Sequence, residues 1–122
     1  MNIRGIRGAI TVDRNHADEI LSASKLLVQT ILEKNLLTIE HIISITFTAT
    51  KDLDTVYPAR AVRDLGYTHI PLMCMQEMNV KGSLPQCIRV LILCETEMNH
   101  DEINHVYLRE ARSLRPDWVK ED

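Results

Sequence analysis

The sequence lacks a long apolar run, an excess of positive charge, and any paired cysteine or histidine motif, and each absence removes a class of protein. No apolar stretch approaches the roughly 18 residues needed to cross a bilayer, and the opening MNIRGIRGAITV lacks the apolar stretch and cleavage signal of a secretory peptide. A cytoplasmic protein with no membrane partner is expected. The net charge of -3 gives no reason to expect nucleic-acid binding. Cys74, Cys87 and Cys94 are an odd number without C-x-x-C spacing, which argues against a disulfide framework and a zinc site. At least two of them read as small apolar core residues. His16, His41, His69, His100 and His105 are scattered without the spacing of a metal-binding helix, so no metal is expected. There is no internal repeat and no low-complexity segment. With 122 residues, 45% apolar and 25% charged, the chain fits one globular domain over residues 1–122.

What is present in unusual proportion is arginine: nine against five lysines. Arg4, Arg7, Arg60, Arg63, Arg89 and Arg115 lie beside apolar or small residues in or near expected elements, whereas the lysines, Lys120 among them, read as surface positions. Arginine is suited to bidentate capture of a carboxylate or phosphate, so the chain looks built to hold a small anion.

Residues 2–12 alternate as a strand, with Ile6, Gly8, Ile10 and Val12 on one face and Ile3, Gly5, Arg7, Ala9 and Thr11 on the other. Gly5 and Ala9 leave room for Arg7 to reach a ligand; the alternative is a basic residue on an exposed face. Asn15 reads as the N-cap of a helix from about His16 to Lys34, whose apolar stripe, Ile20, Leu21, Leu27, Val28, Ile31 and Leu32, would cover a sheet. Ser22, Ser24 and Thr30 on it read as solvated or locally hydrogen-bonded. Asn35 can end the helix, and Thr38 with Glu40 can open a single turn. In residues 42–49, Ile43, Ile45, Phe47 and Ala49 face one way and Ser44, Thr46 and Thr48 the other. That second face, polar and uncharged, meets another subunit, lines a water-filled space, or is simply exposed.

Pro58 and Gly66 bracket a short helix, Pro58 to Leu65, carrying Arg60 and Arg63 as a solvated basic face or an anion clamp aided by the helix dipole. A third strand, about His69 to Met73, leads through CMQEM and NVKGSLPQ into an apolar strand from Cys87 to Cys94. So short a connection favours an antiparallel neighbour or a sheet-edge return over a crossover. The stretch from Asn99 to Arg115 reads as mostly helical, although HVYL has strand composition, and the final VKED as frayed. The expected fold is α+β (α/β), a small mixed sheet with helices on one side. Its uncovered face favours an oligomer.

The Cys87 to Cys94 strand carries the chief anomaly, Arg89, on the same face as Cys87, Leu91 and Leu93. A guanidinium keeps its charge and is costly to bury unpaired. It therefore meets a protein carboxylate, for which Glu77 is the nearest candidate, or snorkels to solvent, or holds an anion from outside.

RGIRGAITV, TATKDLDTVYPARAVRDLG, CMQEM with GSLPQCIRVL, and HVYLREARSLRPD, in that order along nearly the whole chain, resemble the monofunctional, AroH-class (trimeric, Bacillus-type) chorismate mutases. The resemblance implies an isomerase that rearranges chorismate to prephenate in phenylalanine and tyrosine biosynthesis, the shikimate branch, with no metal or organic cofactor. It implies a homotrimer forming a pseudo-α/β-barrel with active sites between subunits. It gives Arg89 the role of cation beside the ether oxygen, Arg7 that of carboxylate binder, and Glu77 that of acceptor from the ring hydroxyl, facing Arg89 across the substrate. Cys74 would contact the same hydroxyl region, and Tyr107 would donate to a carboxylate. Tyr57, Ala59, Arg60, Arg63, Met73, Met75, Gln76, Leu114 and Arg115 would complete the lining and mouth of the cleft. Tyr57, Arg60 and Met73 depart from the family pattern, in which Phe, Lys and Thr are common. Two other classes compete: a non-catalytic carboxylate binder, which would gain nothing from Glu77 opposite Arg89, and an imine-hydrolysing deaminase on a related trimeric architecture, supported only by fold-level analogy.

Overall fold

A computed structural model describes residues 1–119. The expected strands form β1 (Asn2–Thr11), β2 (Ile42–Ala49), β3 (Leu72–Gln76) and β4 (Cys87–Thr96), with helices α1 (Ala17–Lys34) and α2 (Arg60–Asp64) between them. A fifth strand, β5 (Val106–Leu108), completes one sheet in the order β3-β2-β4-β1-β5. β4 lies antiparallel to both β1 and β2, while β3 runs parallel to β2 and β5 parallel to β1. The sheet is therefore mixed, as the α+β pattern requires.

One face of the sheet and α1 make the main core. Ile20, Ala23, Leu27, Val28 and Ile31 of α1 are fully buried against Ile6, Ile10, Phe47, Ile88, Val90 and Ile92. The fit is closest at Gly8, where a Cβ would lie 2.9 Å from Ile31 Cδ1 and 2.9 Å from the Val106 carbonyl oxygen. Glycine there lets both α1 and β5 approach β1. Ser24 and Thr30 donate to the carbonyls of Ile20 and Leu26, the local bonds expected of them.

Four expectations are corrected, and one alternative is resolved. The stretch from Asn99 to Arg115 is not mostly helical. It divides into a 3-10 turn (His100–Glu102) closed by an Asn99/Glu102 capping box, then β5, then a 3-10 turn (Arg109–Ser113). Ladder bonds to β1 hold residues 106–108 extended, and Arg109, at φ 56, interrupts any continuous helix. Asn15 does not cap α1; His16 holds that position, and the Asn15 side chain instead bonds Asp54 and Thr55, tying the 50–55 loop to the helix entry. In β2 a register shift between Ile42 and Ser44 turns Ile42 into the core and leaves Ile43 38% exposed. β3 begins three residues later than expected because His69 and Ile70 remain in the turn after α2. β3 and β4 run antiparallel but are separated by β2, so the 77–86 connection is the sheet-edge return and not a hairpin. Gly66, at φ +91, ends α2 as anticipated. The expectation for VKED reaches residues 120–122, outside the described residues.

Among the described residues the second face of the sheet has no α-helix along it; the 3-10 turn Arg109–Ser113 packs on one end. Ile3 and Gly5 of β1, Leu91 and Leu93 of β4, Ser44 and Thr46 of β2 and Met73 of β3 share this side by register. Leu91 and Leu93 remain 39% and 36% exposed. At the other end of the same face, Ala9, Cys87, Tyr107 and Ala111 form a small second core, against which Leu84, Leu114, Trp118 and Val119 pack.

Candidate active site

The partly covered end of the helix-free face gathers the charged residues. Period-two alternation in β4 puts Arg89 on this face, directly opposite Thr48 on β2 and Ala9 on β1. Ala9 in turn faces Tyr107 on β5, so Thr48, Arg89, Ala9 and Tyr107 form one row across four strands. The small Ala9 side chain lets Tyr107 and Arg89 interact over it. Arg7 lies two residues from Ala9 on the same face of β1, a diagonal neighbour of Arg89. Its backbone N–H donates to His105 Nδ1 at 2.9 Å, pinning the entry to β5. Burial raises the Tyr107 phenol above its usual pKa, against the opposing fields of Arg7, Arg115 and Arg89. The phenol is thus a neutral hydrogen-bond donor within the fields of three guanidinium groups.

Glu77 enters this row from just beyond β3. Its backbone N–H bonds the Ala49 carbonyl, continuing the β2 ladder, and its carboxylate turns back over Thr48. Thr48 Oγ1 donates to Glu77 Oε1 at 2.7 Å, and the Met78 N–H donates to Oε2 at 3.2 Å. Arg89 Nε lies 3.2 Å from Oε1, with both side chains about one quarter exposed. Distance alone makes this an ion pair. The buried Nε nevertheless has no hydrogen-bond partner among the described residues, because its N–H is not aimed at the oxygen. Cys87, next on the face, is buried and its thiol is pushed up to about 11, chiefly by burial, with Arg89 opposing.

The remaining expected residues divide into two groups. Leu114 and Arg115 belong to the segment over this end of the sheet. Arg115 forms a two-pronged pair with Asp117, at 3.1 and 2.9 Å, and stacks 3.4 Å above the Trp118 ring. Trp118 stacks on His105 with centroids 4.0 Å apart. Tyr57, Ala59, Arg63, Leu72, Met73 and Cys74 instead line a separate cavity of about 290 Å³ at the β3 edge. An adjoining cavity of about 240 Å³ shares Tyr57 and Cys74 and adds Met75 and Gln76.

Within one chain Cys74 is not beside the Glu77 carboxylate as anticipated. It pairs with Phe47, on the side of the strand opposite Thr48, and its thiol is raised by burial against a hydrogen bond to the Ala59 backbone and the field of Arg63. Arg60 points away from the cavity toward Asp64, at 3.9 Å. At five residues α2 is too short for the dipole-assisted clamp considered for Arg60 and Arg63. Sequence reasoning missed Thr48, His105, Asp117 and Trp118. Strand parity was the available signal for Thr48, since it shares the face of Arg89.

The model of the family described as chorismate mutase type I matches residues 3–118. The chain belongs to this family. As a chorismate mutase it is an isomerase of aromatic amino acid biosynthesis, and its relatives span nearly the same length. It is 48% identical over 118 residues to "Chorismate mutase AroH" of Bacillus subtilis, covering 96% of this chain and 93% of that one. It is 45% identical over 116 residues to "Chorismate mutase AroH" of Thermus thermophilus, covering 94% and 95%. A solved chorismate mutase from Clostridium thermocellum superposes with a TM-score of 0.89 at 48% identity, covering 90% of this chain and 98% of that chain. Among the described residues no cluster of metal-binding side chains occurs, and no helix is long and apolar enough to cross a membrane.

Proposed function

We propose that the chain, acting as one unit over residues 1–122, rearranges chorismate to prephenate at a site built between adjacent copies of a homotrimer. The observation that carries this reading is Arg89: a guanidinium on the strand face it shares with Cys87, Leu91 and Leu93, its Nε buried without a hydrogen bond, with Arg7 and Tyr107 beside it. In the rearrangement an ether C–O bond stretches before the new C–C bond is complete, and negative charge builds on the ether oxygen. A fixed cation beside that oxygen binds the transition state more strongly than the substrate, which is the condition for catalysis. Arg89 fills that role in this reading. Arg7 and Tyr107 hold the substrate carboxylates in the folded, reactive conformer, an orientation effect that lowers the barrier further. Glu77 accepts from the ring hydroxyl. No nucleophile, general base or cofactor is required.

The split of the expected residues supports the interfacial site. Arg7, Glu77, Arg89, Tyr107 and Arg115 line one end of the helix-free face, whereas Tyr57, Ala59, Arg63, Met73 and Cys74 lie at the β3 edge. A neighbouring copy that laid its β3 edge and α2 against the first group would join both sets around one substrate. The exposed Ile3, Leu91, Leu93, Met73 and Met75 supply an apolar surface for that contact. A cytoplasmic location belongs to the same proposal, since Cys74, Cys87 and Cys94 are all free thiols, suited to a reducing compartment.

The test is the loss of chorismate absorbance with purified protein and no added metal or cofactor. Consumption above the uncatalysed rate is expected. Its absence would leave a carboxylate-binding module.

A further inference from the structure

The Glu77 carboxylate is close enough to Arg89 to neutralise it, yet the two do not form a hydrogen-bonded pair. We propose that Thr48 is a positioning residue that withholds Glu77 from Arg89, so that each charge stays available to the substrate. Thr48 stands directly opposite Arg89 in the β2–β4 ladder, where side chains on one face lie about 5 Å apart. Its hydroxyl donates to Glu77 Oε1 at 2.7 Å, the same oxygen that approaches Arg89 Nε, while Oε2 is held by the Met78 N–H.

The carboxylate is thus oriented by two donors that are not Arg89. The buried Nε–H is left unsatisfied, and an unsatisfied donor at such a site is poised for an acceptor from elsewhere. Without the hydroxyl, Oε1 would lose the bond that fixes its orientation, and the carboxylate would rotate into line with the Arg89 Nε–H. A charge-assisted bond would form, and the site would lose both a donor and an acceptor at once. This proposal rests on the roles given above to Arg89 and Glu77.

Thr48→Val keeps the side-chain shape and strand preference but removes the donor; Thr48→Ser keeps the donor. Thr48→Val is expected to lower kcat by about ten- to hundredfold, the range for loss of a hydrogen bond to a charged group, with a much smaller change in KM and little change in Tm. Thr48→Ser is expected to stay near the parent kcat. In a Glu77→Gln background the further effect of Thr48→Val should largely vanish, because the hydroxyl acts through the carboxylate.

A Thr48→Val enzyme with parental kcat would overturn the proposal, as would a Ser variant no better than Val, or a Val effect undiminished in the Gln background. Parental kcat in Glu77→Gln alone would instead remove the reading of the site itself, so the two failures are distinguishable.

Discussion

Arg89 Nε approaches Glu77 Oε1 to 3.2 Å without donating a hydrogen bond to it. Two opposite charges on one strand face, each about three-quarters buried, would ordinarily close into the best pair geometry available. Their failure to do so leaves the Arg89 Nε–H open to an acceptor from outside the chain, as the proposed site requires. It also makes the guanidinium fork, and not only its charge, the feature to test. Arg89→Lys keeps a cation but loses the planar array of donors. The expected result is a kcat lowered by about a hundred- to a thousandfold, the range for removing one preorganised donor to a developing oxyanion, with an unchanged sedimentation profile. Near-parental kcat would remove Arg89 from the ether oxygen.

The helix-free face gives the second prediction. Leu91 and Leu93 sit two residues apart on β4 and point away from α1. A lysine at Leu91 would place a charge at the centre of the proposed contact while touching none of the main core. Leu91→Lys is expected to fold but to sediment as a smaller species, losing activity as the concentration falls. A trimer of unaltered stability would show that this face does not carry the assembly.

Much of this arrangement was legible in the sequence because period-two alternation is a strong local signal. The placement of Arg89 with Leu91 and Leu93, of Arg7 with Gly5 and Ala9, and of α1 over Ile6, Phe47 and Ile92 all follow from it. What the sequence hid was set by partners distant in the chain. Residues 106–108 are extended because β1 offers an open edge, and Asn15 leaves its capping position because Asp54 and Thr55 lie within reach. The bulge at Ile42 to Ser44 inverts Ile43, which a simple alternation cannot foresee. The site divided the same way. Strand parity located Arg7 and Arg89, but the separation of Cys74 from the Glu77 carboxylate depends on where β3 begins and how Glu77 leaves it.

Gly8 and Gly5, three residues apart on β1, should respond oppositely to alanine. At Gly8 the new methyl would meet Ile31, Leu27 and a backbone carbonyl of β5 at 2.9 to 3.1 Å. At Gly5 it would meet only leucine methyls at 3.4 and 3.7 Å, ordinary contact distances. Thermal denaturation should therefore show Gly8→Ala destabilised by about 1–3 kcal/mol, the usual cost of overpacking. Gly5→Ala should leave the isolated fold nearly unchanged or slightly more stable. Equal losses would mean that α1 and β5 do not approach β1 as described.

Alkaline pH should weaken the fold through Cys87, with Cys74 and Cys94, whose thiols burial also raises, adding to the loss. Burial raises the Cys87 thiol from 9.0 to about 11, so between those values an unfolded chain releases a proton that the folded chain retains. The unfolded state then binds fewer protons, and stability falls as pH rises through that window. Tyr107, also raised by burial, adds to the loss above its ordinary value of 10.0. Tm measured from pH 8 to 11 should decline less steeply for Cys87→Ala than for the parent. Identical slopes would mean that Cys87 is not protected in the fold.

The segment over the row of Thr48, Arg89, Ala9 and Tyr107 offers the last prediction. Trp118, the single tryptophan, lies between the Arg115 guanidinium and the His105 ring, and His105 accepts from the Arg7 backbone. This stack ties the C-terminal turn to the strand that carries Arg7. Asp117 meanwhile takes both prongs of Arg115, and that bond is the main reason its own carboxyl is lowered below the usual range. A substrate carboxylate reaching the Nε/Nη2 edge of Arg115 must displace Asp117, which takes both donors of that edge. Asp117→Asn weakens the competitor without removing Arg115, so KM should fall while kcat stays constant, the signature of a change in binding shared equally by the ground and transition states. Trp118 reports the same event directly: its emission should shift when substrate or a dicarboxylate analogue binds to the parent, and shift less in Asp117→Asn. An unchanged KM with a silent tryptophan would mean that Arg115 keeps its partner throughout turnover and takes no part in binding.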